Sequence, residues 1–246
     1  MITRQIGARA ILRTVGMAIG FLAGGPAHAG ADDDSIASLR PHPVITEVLF
    51  HVPNSDAGDA DKDGSRDPTG DEFVELFNPH ARAVNLRGYT LSSRLSVGDA
   101  SGKKGVRFTF PDLELPPGAV VVVFNGYKSK ATGPIGSAKT PPPKVHPDFG
   151  KAAVFSMGTT AKNRAWNNSG DFVLLSAPDG SPIDAIWWGE PSPMPPKACI
   201  RSAEAPANPS GSVQRTTADA DPVAHTAIDG RVCSPGEIPA KADTAP

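Results

Sequence analysis

Helical periodicity is the first thing this sequence lacks. Past the N-terminus no stretch keeps it over three turns with caps, so no crossover helices are available for a parallel α/β sheet. Basic clusters are missing as well. Phosphate contacts dominate nucleic-acid affinity, so no nucleic-acid partner is expected, and anionic lipid is a poor target for the same reason. His42, His51, His80, His146 and His225 include no two within four residues of each other, which excludes the ligand spacings of zinc proteases and deaminases. They read as surface or internally satisfied groups. No Gly-x-Ser-x-Gly elbow supports a nucleophilic hydrolase, and the glycines between Gly102 and Gly105 flank two lysines without forming a phosphate loop.

Long apolar runs are also absent. The longest N-terminal one, Val15 to Leu22, falls short of the ~20 residues a membrane span needs and contains Gly16 and Gly20. With Arg4, Arg9 and Arg13 before it and Ala27-His28-Ala29 after it, residues 1–29 read instead as a secretory leader cleaved after Ala29. The expectation is a secreted protein, extracellular or periplasmic, with no transmembrane anchor after cleavage. Of 24 Lys and Arg, three leave with the leader, so 21 face 26 Asp and Glu, a formal charge of −5. Only two cysteines occur, Cys199 and Cys233. In an exported chain such a pair is expected to form a disulfide; a cysteine metal site would need paired spacing and nearby histidines.

What is present in abundance is turn chemistry. The 26 prolines and 25 glycines punctuate short apolar runs throughout. Val44 to Val52 reads as a first strand and Glu72 to Phe77 as a second. Short strands follow on either side of Gly88, at Ala83 to Leu86 and Tyr89 to Ser92. Val106 to Phe110 alternates strictly, which puts Phe108 and Phe110 on a core face. Val120-Val121-Val122-Val123 is apolar on both faces and reads as a strand covered on both sides. Lys128 to Asp148 is a long surface excursion. Asp171 to Ser176 and Ile183 to Trp188 form a hairpin through Pro178-Asp179-Gly180, and Ser212 to Arg215 is a last strand. Eight or nine short strands with turns between them predict an all-β sandwich.

An ordered series of motifs makes the chain resemble the lamin tail domain, an immunoglobulin-like β-sandwich. It opens with Val44-Ile45-Thr46-Glu47-Val48. The most specific piece is Asp71-Glu72-Phe73-Val74-Glu75-Leu76-Phe77-Asn78-Pro79, followed by Val84-Asn85-Leu86-Arg87-Gly88-Tyr89-Thr90-Leu91-Ser92. Phe108-Thr109-Phe110-Pro111, Leu115-Pro116-Pro117-Gly118 and Asn167-Asn168-Ser169-Gly170-Asp171-Phe172-Val173-Leu174-Leu175 come next. Exported members of the family often trail off through a Ser-x-x-Arg and a Ser-Pro-Gly, matched here by Ser212 to Arg215 and Ser234-Pro235-Gly236. The resulting division is a leader at 1–29, an arm at 30–42, the lamin tail domain at 43–190, a Pro-rich extension packing on it at 191–236, and a tail at 237–246.

The sharpest local signal is Asp59-Ala60-Asp61-Lys62-Asp63-Gly64, with Asp67 and Asp71 close behind. Carboxylates at alternate positions before a glycine suit calcium, which takes six to eight hard oxygen ligands. An EF-hand would need an acidic residue at Gly70, and Asp71 is one place late, so the loop is not an EF-hand. It resembles Asp-rich calcium loops of exported proteins; the competing reading is a solvated acidic turn. Glu72 and Glu75, three apart on a strand, point to opposite faces and do not readily share a site; ion pairing or an outward position is expected for each. Trp187 and Trp188 adjoin on a strand, so one enters the core and the other, here taken as Trp188, is free to contact a partner.

These readings favour a non-enzymatic module with a binding or structural role in the cell envelope or extracellular space, stabilised by calcium, its partner an unidentified envelope protein or glycan. Two alternatives are an accessory module of an exported nuclease or phosphatase system, and a metal-dependent hydrolase using the aspartates directly.

Overall fold

The computed structural model describes residues 41–99 and 101–238. The leader, the arm up to Arg40 and the tail beyond Ile238 lie outside the described residues. Among those described, no helix is long and apolar enough to cross a membrane.

The described residues form fourteen strands: β1 (Val44–Leu49), β2 (Phe73–Phe77), β3 (Val84–Asn85), β4 (Thr90–Ser92), β5 (Arg107–Thr109), β6 (Glu114–Leu115), β7 (Val120–Phe124), β8 (Ile135–Gly136), β9 (Ala153–Ser156), β10 (Gly170–Ser176), β11 (Pro182–Gly189), β12 (Arg201–Glu204), β13 (Val213–Gln214) and β14 (Val223–Ala224). A seven-stranded sheet runs in the order β14-β13-β1-β2-β7-β9-β8, a five-stranded sheet in the order β12-β11-β10-β4-β5, and β3 pairs with β6. The two larger sheets form the sandwich expected from the short alternating strands.

The interior between them is apolar from both sides. Ile45, Val48, Val74, Leu76, Val121 and Val123 face Leu91, Phe108, Val173, Leu175 and Ile186. Phe108, Phe110 and Phe155 meet edge-on with centroids 5.0–5.6 Å apart, a favoured geometry for aromatic quadrupoles. The Val120–Phe124 run is buried throughout, its odd members inward and its even ones outward. The outward set belongs to a second apolar cluster with Leu49, Phe73, Phe77, Phe149, Ala152 and Val154. That face is covered by the excursion after Phe124 and by Cys233 and Ile238 of the C-terminal segment.

Three pairings are parallel: β7 with β9, β8 with β9, and β11 with β12. The expectation that parallel strands would need crossover helices fails. The connection from β7 to β9 is 28 residues of mostly irregular chain, numbers 125–152, carrying β8 on the way. Length alone satisfies the crossover; helical structure is not required.

The Pro-rich extension adds β12 to the five-stranded sheet and β13 and β14 to the seven-stranded one. Its anchor is a buried ion pair between the sheets. Arg215 donates from Nη1 to Asp184 Oδ2 at 2.6 Å and from Nη2 to Asp184 Oδ1 at 3.1 Å. The backbone of Ile45 closes the arrangement, its N–H donating to Asp184 Oδ2 at 3.0 Å and its carbonyl accepting from Arg215 Nη1 at 3.1 Å. One side-chain pair thus binds β11, β1 and the residue after β13.

The cysteines do not form the expected disulfide; both are free thiols. Cys199 packs against Phe172, Leu174 and Ala185 on the outer face of the five-stranded sheet, and Cys233 against the outer face of the seven-stranded sheet. The thickness of the sandwich lies between them, far more than the ~6 Å between Cα atoms that a disulfide spans. Burial pushes the thiols up to about 11 and about 12, so they serve as small apolar residues.

Removing one partner of a buried pair leaves the other charge uncompensated. Arg215→Met is therefore expected to lower unfolding free energy by about 3–5 kcal/mol. Chemical denaturation read by tryptophan fluorescence checks this, and a loss below about 1 kcal/mol, as for an exposed pair, would contradict it.

Candidate cation-binding loop

The stretch between β1 and β2 folds around its own carboxylates. A 3₁₀ turn at Asp56–Gly58 starts it. Asp59 then accepts from the N–H groups of Asp63 (3.1 Å) and Gly64 (3.0 Å). Gly64 has φ +87°, a left-handed conformation that glycine adopts without penalty, and Lys62 has φ +58°. Asp61 also accepts from Asp63 N–H, at 3.1 Å. Asp71, immediately before β2, accepts from Asp61 N–H at 3.0 Å and from Asp67 N–H at 2.6 Å, which fixes the distant end of the loop against its middle.

Of the five aspartates singled out from sequence, three converge. One carboxylate oxygen each from Asp59, Asp61 and Asp71 lies within 4.8 Å of the others. Oxygens that share a calcium ion at 2.3–2.6 Å each stand at most about 5 Å apart, so the spacing fits. Asp63 and Asp67 lie outside that trio. Asp67 Oδ1 accepts from Thr69 and Gly70 N–H, both at 2.9 Å, and so shapes the turn. Asp63 Oδ2 accepts from Lys130 N–H at 2.7 Å, while its Oδ1 is buried without a hydrogen-bond partner.

Burial raises the carboxyls of Asp61 and Asp71, that of Asp71 to about 6; charges on neighbouring aspartates add to both shifts. Clustered, desolvated carboxylates with an orphaned oxygen beside them form a donor set suited to a hard divalent cation. The loop also carries the excursion: Lys62 Nζ donates to the Asp148 carbonyl and lies over the Phe149 ring at 4.7 Å, while Asp63 holds the backbone at Lys130.

Other predicted positions need correction. Trp188 is fully buried, stacked on Phe50 with centroids 3.8 Å apart, and its Nε1 donates to the Asn167 carbonyl at 2.8 Å. It cannot contact a partner; Trp187, on the opposite face, is the half-buried one. Glu72 and Glu75 do point to opposite faces, yet neither is exposed or ion-paired. Glu72 accepts from Asn125 Nδ2 (3.2 Å) and Trp166 N–H (3.3 Å), and burial raises its carboxyl well above the usual range. Glu75 accepts from Thr46 Oγ1 (2.7 Å) and Gly236 N–H (2.8 Å).

Glu47 escaped sequence reasoning altogether. A β-bulge between Ile45 and Glu47 breaks the alternation of β1. Ile45 and Val48 therefore both face the interior while Thr46 and Glu47 both face outward. Glu47 sits directly opposite Glu75 in the β1–β2 register, and both are completely buried under the C-terminal segment. It accepts from Ser212 Oγ at 2.5 Å and from Ser234 N–H at 2.9 Å. The signal was present in the motifs: Ser212 and Ser234 bind Glu47, Gly236 binds Glu75, and Arg215 binds Asp184.

No curated protein matches the chain. A family model described as Lamin Tail Domain matches residues 38–190, more than half of the sequence, spanning β1 through β11 and the aspartate loop. With that match on the two-sheet architecture above, the chain belongs to the Lamin Tail Domain family.

Proposed function

We propose that this protein is an exported, non-catalytic lamin-tail module that binds or structures a component of the cell envelope or extracellular space, stabilised by calcium held at Asp59, Asp61 and Asp71. The observation that carries the calcium reading is the convergence of these carboxylates within 4.8 Å, with Asp61 and Asp71 buried and Asp59 half-buried, rather than their fanning into solvent as an acidic turn would. A cation there would relieve their mutual repulsion and set the loop that supports the excursion. The leader grammar of residues 1–29 supports export. Family membership and the use of Glu47, Glu72, Glu75 and Asp184 in internal hydrogen bonds support a scaffold rather than a reaction centre. The partner is an envelope glycan or protein, and the half-buried Trp187 is the tryptophan available to it.

Calcium at a hundredfold excess over its dissociation constant contributes about 2.7 kcal/mol, which in a domain this size raises the melting temperature by about 5–10 °C. Differential scanning fluorimetry of the chain begun at Gly30 should show that rise with calcium, its reversal by chelator, and its loss in Asp71→Asn. A melt unchanged by calcium and chelator removes the cation from this account.

Enzymatic turnover separates the module from a hydrolase. The chain should leave phosphodiester, phosphomonoester and carboxylic-ester substrates untouched with calcium, magnesium, manganese or zinc present. Turnover abolished by Asp61→Ala would overturn the non-catalytic reading.

A further inference from the structure

The outer face of the seven-stranded sheet carries two fully buried carboxylates in direct cross-strand register, Glu47 and Glu75, and the C-terminal segment closes over them. Two contacts hold the segment to Glu47 from Ser234, the N–H to Oε1 at 2.9 Å and Oγ to Oε2 at 3.1 Å; a third runs from Gly236 N–H to Glu75 Oε2 at 2.8 Å. Gly236 has φ +88°, and a β-carbon there would collide with the Phe149 carbonyl, so the crossing is built for glycine. Upstream, β13 is fastened independently by its pairing with β1 and by the Arg215–Asp184 pair. A firmly held hinge is followed by a segment whose polar contacts include two carboxylates facing each other.

We propose that Cys233 to Glu237, beyond the β13–β14 ladder and the Ser212 N–H to Val232 carbonyl bond, is a releasable strap, clipped to the sheet while the Glu47–Glu75 pair keeps a proton and let go when both carboxylates carry charge. Two adjacent carboxylates away from water cannot both ionise without strong repulsion. The charged groups around them do not cancel it. His225 places Nδ1 3.7 Å from Glu47 Oε1 and Nε2 3.4 Å from Asp229, but burial disfavours its charged form. Arg231 is engaged by Asp229 at 2.7 Å and Glu237 at 2.6 Å, and its charge lowers Glu47 only partly. Glu237 raises Glu75 further, while Cys233 stays a neutral thiol.

Burial pushes Glu47 up to about 7; burial and then the facing Glu47 charge push Glu75 well above the ordinary range. With the strap lifted, both carboxylates would be hydrated and return towards their ordinary 4.5. Because closed-state values are raised, the closed form is fully favoured at acid pH. It loses ground from about pH 4.5 for both carboxylates, through about 7 for Glu47 and on to higher pH for Glu75. Opening would uncover the apolar patch beneath Cys233, with Leu49, Phe73, Phe77 and Val122. This inference is independent of the calcium reading.

The two thiols give the test, since Cys233 is the strap residue packed against the sheet and Cys199 lies on the opposite face. The chain begun at Gly30 is labelled with an isotope-coded maleimide from pH 5.5 to 8.5, and the ratio of Cys233 to Cys199 modification is read by mass spectrometry. The ratio cancels the common pH dependence of thiol chemistry. With two protons linked to opening below about pH 7 and one above it, it should rise by up to about a hundredfold and then by up to about tenfold per pH unit while native tryptophan fluorescence is unchanged. Glu75→Gln removes the proton that Glu75 releases, so its profile should level off above about pH 7; Glu47→Gln, used if the first variant fails to fold, should lower the slope below about pH 7 to at most about tenfold per unit. Series run with calcium and with chelator should agree. A flat ratio in the native chain, or the same rise in a folded Gln variant, overturns the proposal.

Discussion

The seven-stranded sheet is apolar on both faces, and most of the molecule outside the two sheets follows from that constraint. Val121 and Val123 look into the sandwich, while Val120, Val122 and Phe124 look out beside Phe73 and Phe77. Each such side chain gains roughly 1.5–3 kcal/mol when removed from water, so the outer face needs a cover as much as the inner one. The five-stranded sheet covers the inside. The 28-residue connection from β7 to β9 and the C-terminal segment cover the outside, and neither is a decorative loop.

Covering a sheet with irregular chain raises a second problem, because irregular backbone leaves polar groups to satisfy. Here the sheet supplies the acceptors. The bulge in β1 turns Glu47 outward next to Glu75, and the two carboxylates accept from Ser212, Ser234 and Gly236. Between the sheets Asp184 and Arg215 do the equivalent for β13 and the backbone of Ile45. The aspartate loop works likewise at the other end of the cover, gripping the excursion through Lys62 and Asp63. Acidic side chains recur at these three places where an irregular segment meets the sandwich.

That pattern explains which parts of the molecule were legible in the sequence. Alternation disclosed β5 and its flanking phenylalanines, two-sided apolarity disclosed β7, and the Pro-Asp-Gly turn disclosed the β10–β11 hairpin, because each of these signals is local. β8, β9 and β12 were missed: they are short, lie among prolines and glycines, and form parallel pairs that only long-range closure creates. Of the loop aspartates the trio Asp59, Asp61 and Asp71 converge while Asp67 turns to the backbone, a distinction set by loop curvature. Period two required one tryptophan inside but was silent on which; the registry of β11 against Phe50 decides for Trp188. Glu47 was hidden by the bulge, since one extra residue reverses the face that alternation assigns. The cysteines misled because composition reports their number and not the two sheets between them.

The family match stops at Glu190, yet both sheets continue to recruit strands beyond it. On this account the residues after 190 complete the core. Equilibrium denaturation of a chain ending at Glu190, compared with the full chain, tests that most directly. The truncated chain loses Ser212, Ser234, Gly236 and Arg215, which bind Glu47, Glu75 and Asp184, so it should show no cooperative transition under conditions where the full chain unfolds in one. A sharp transition at the same denaturant midpoint in both would contradict the account.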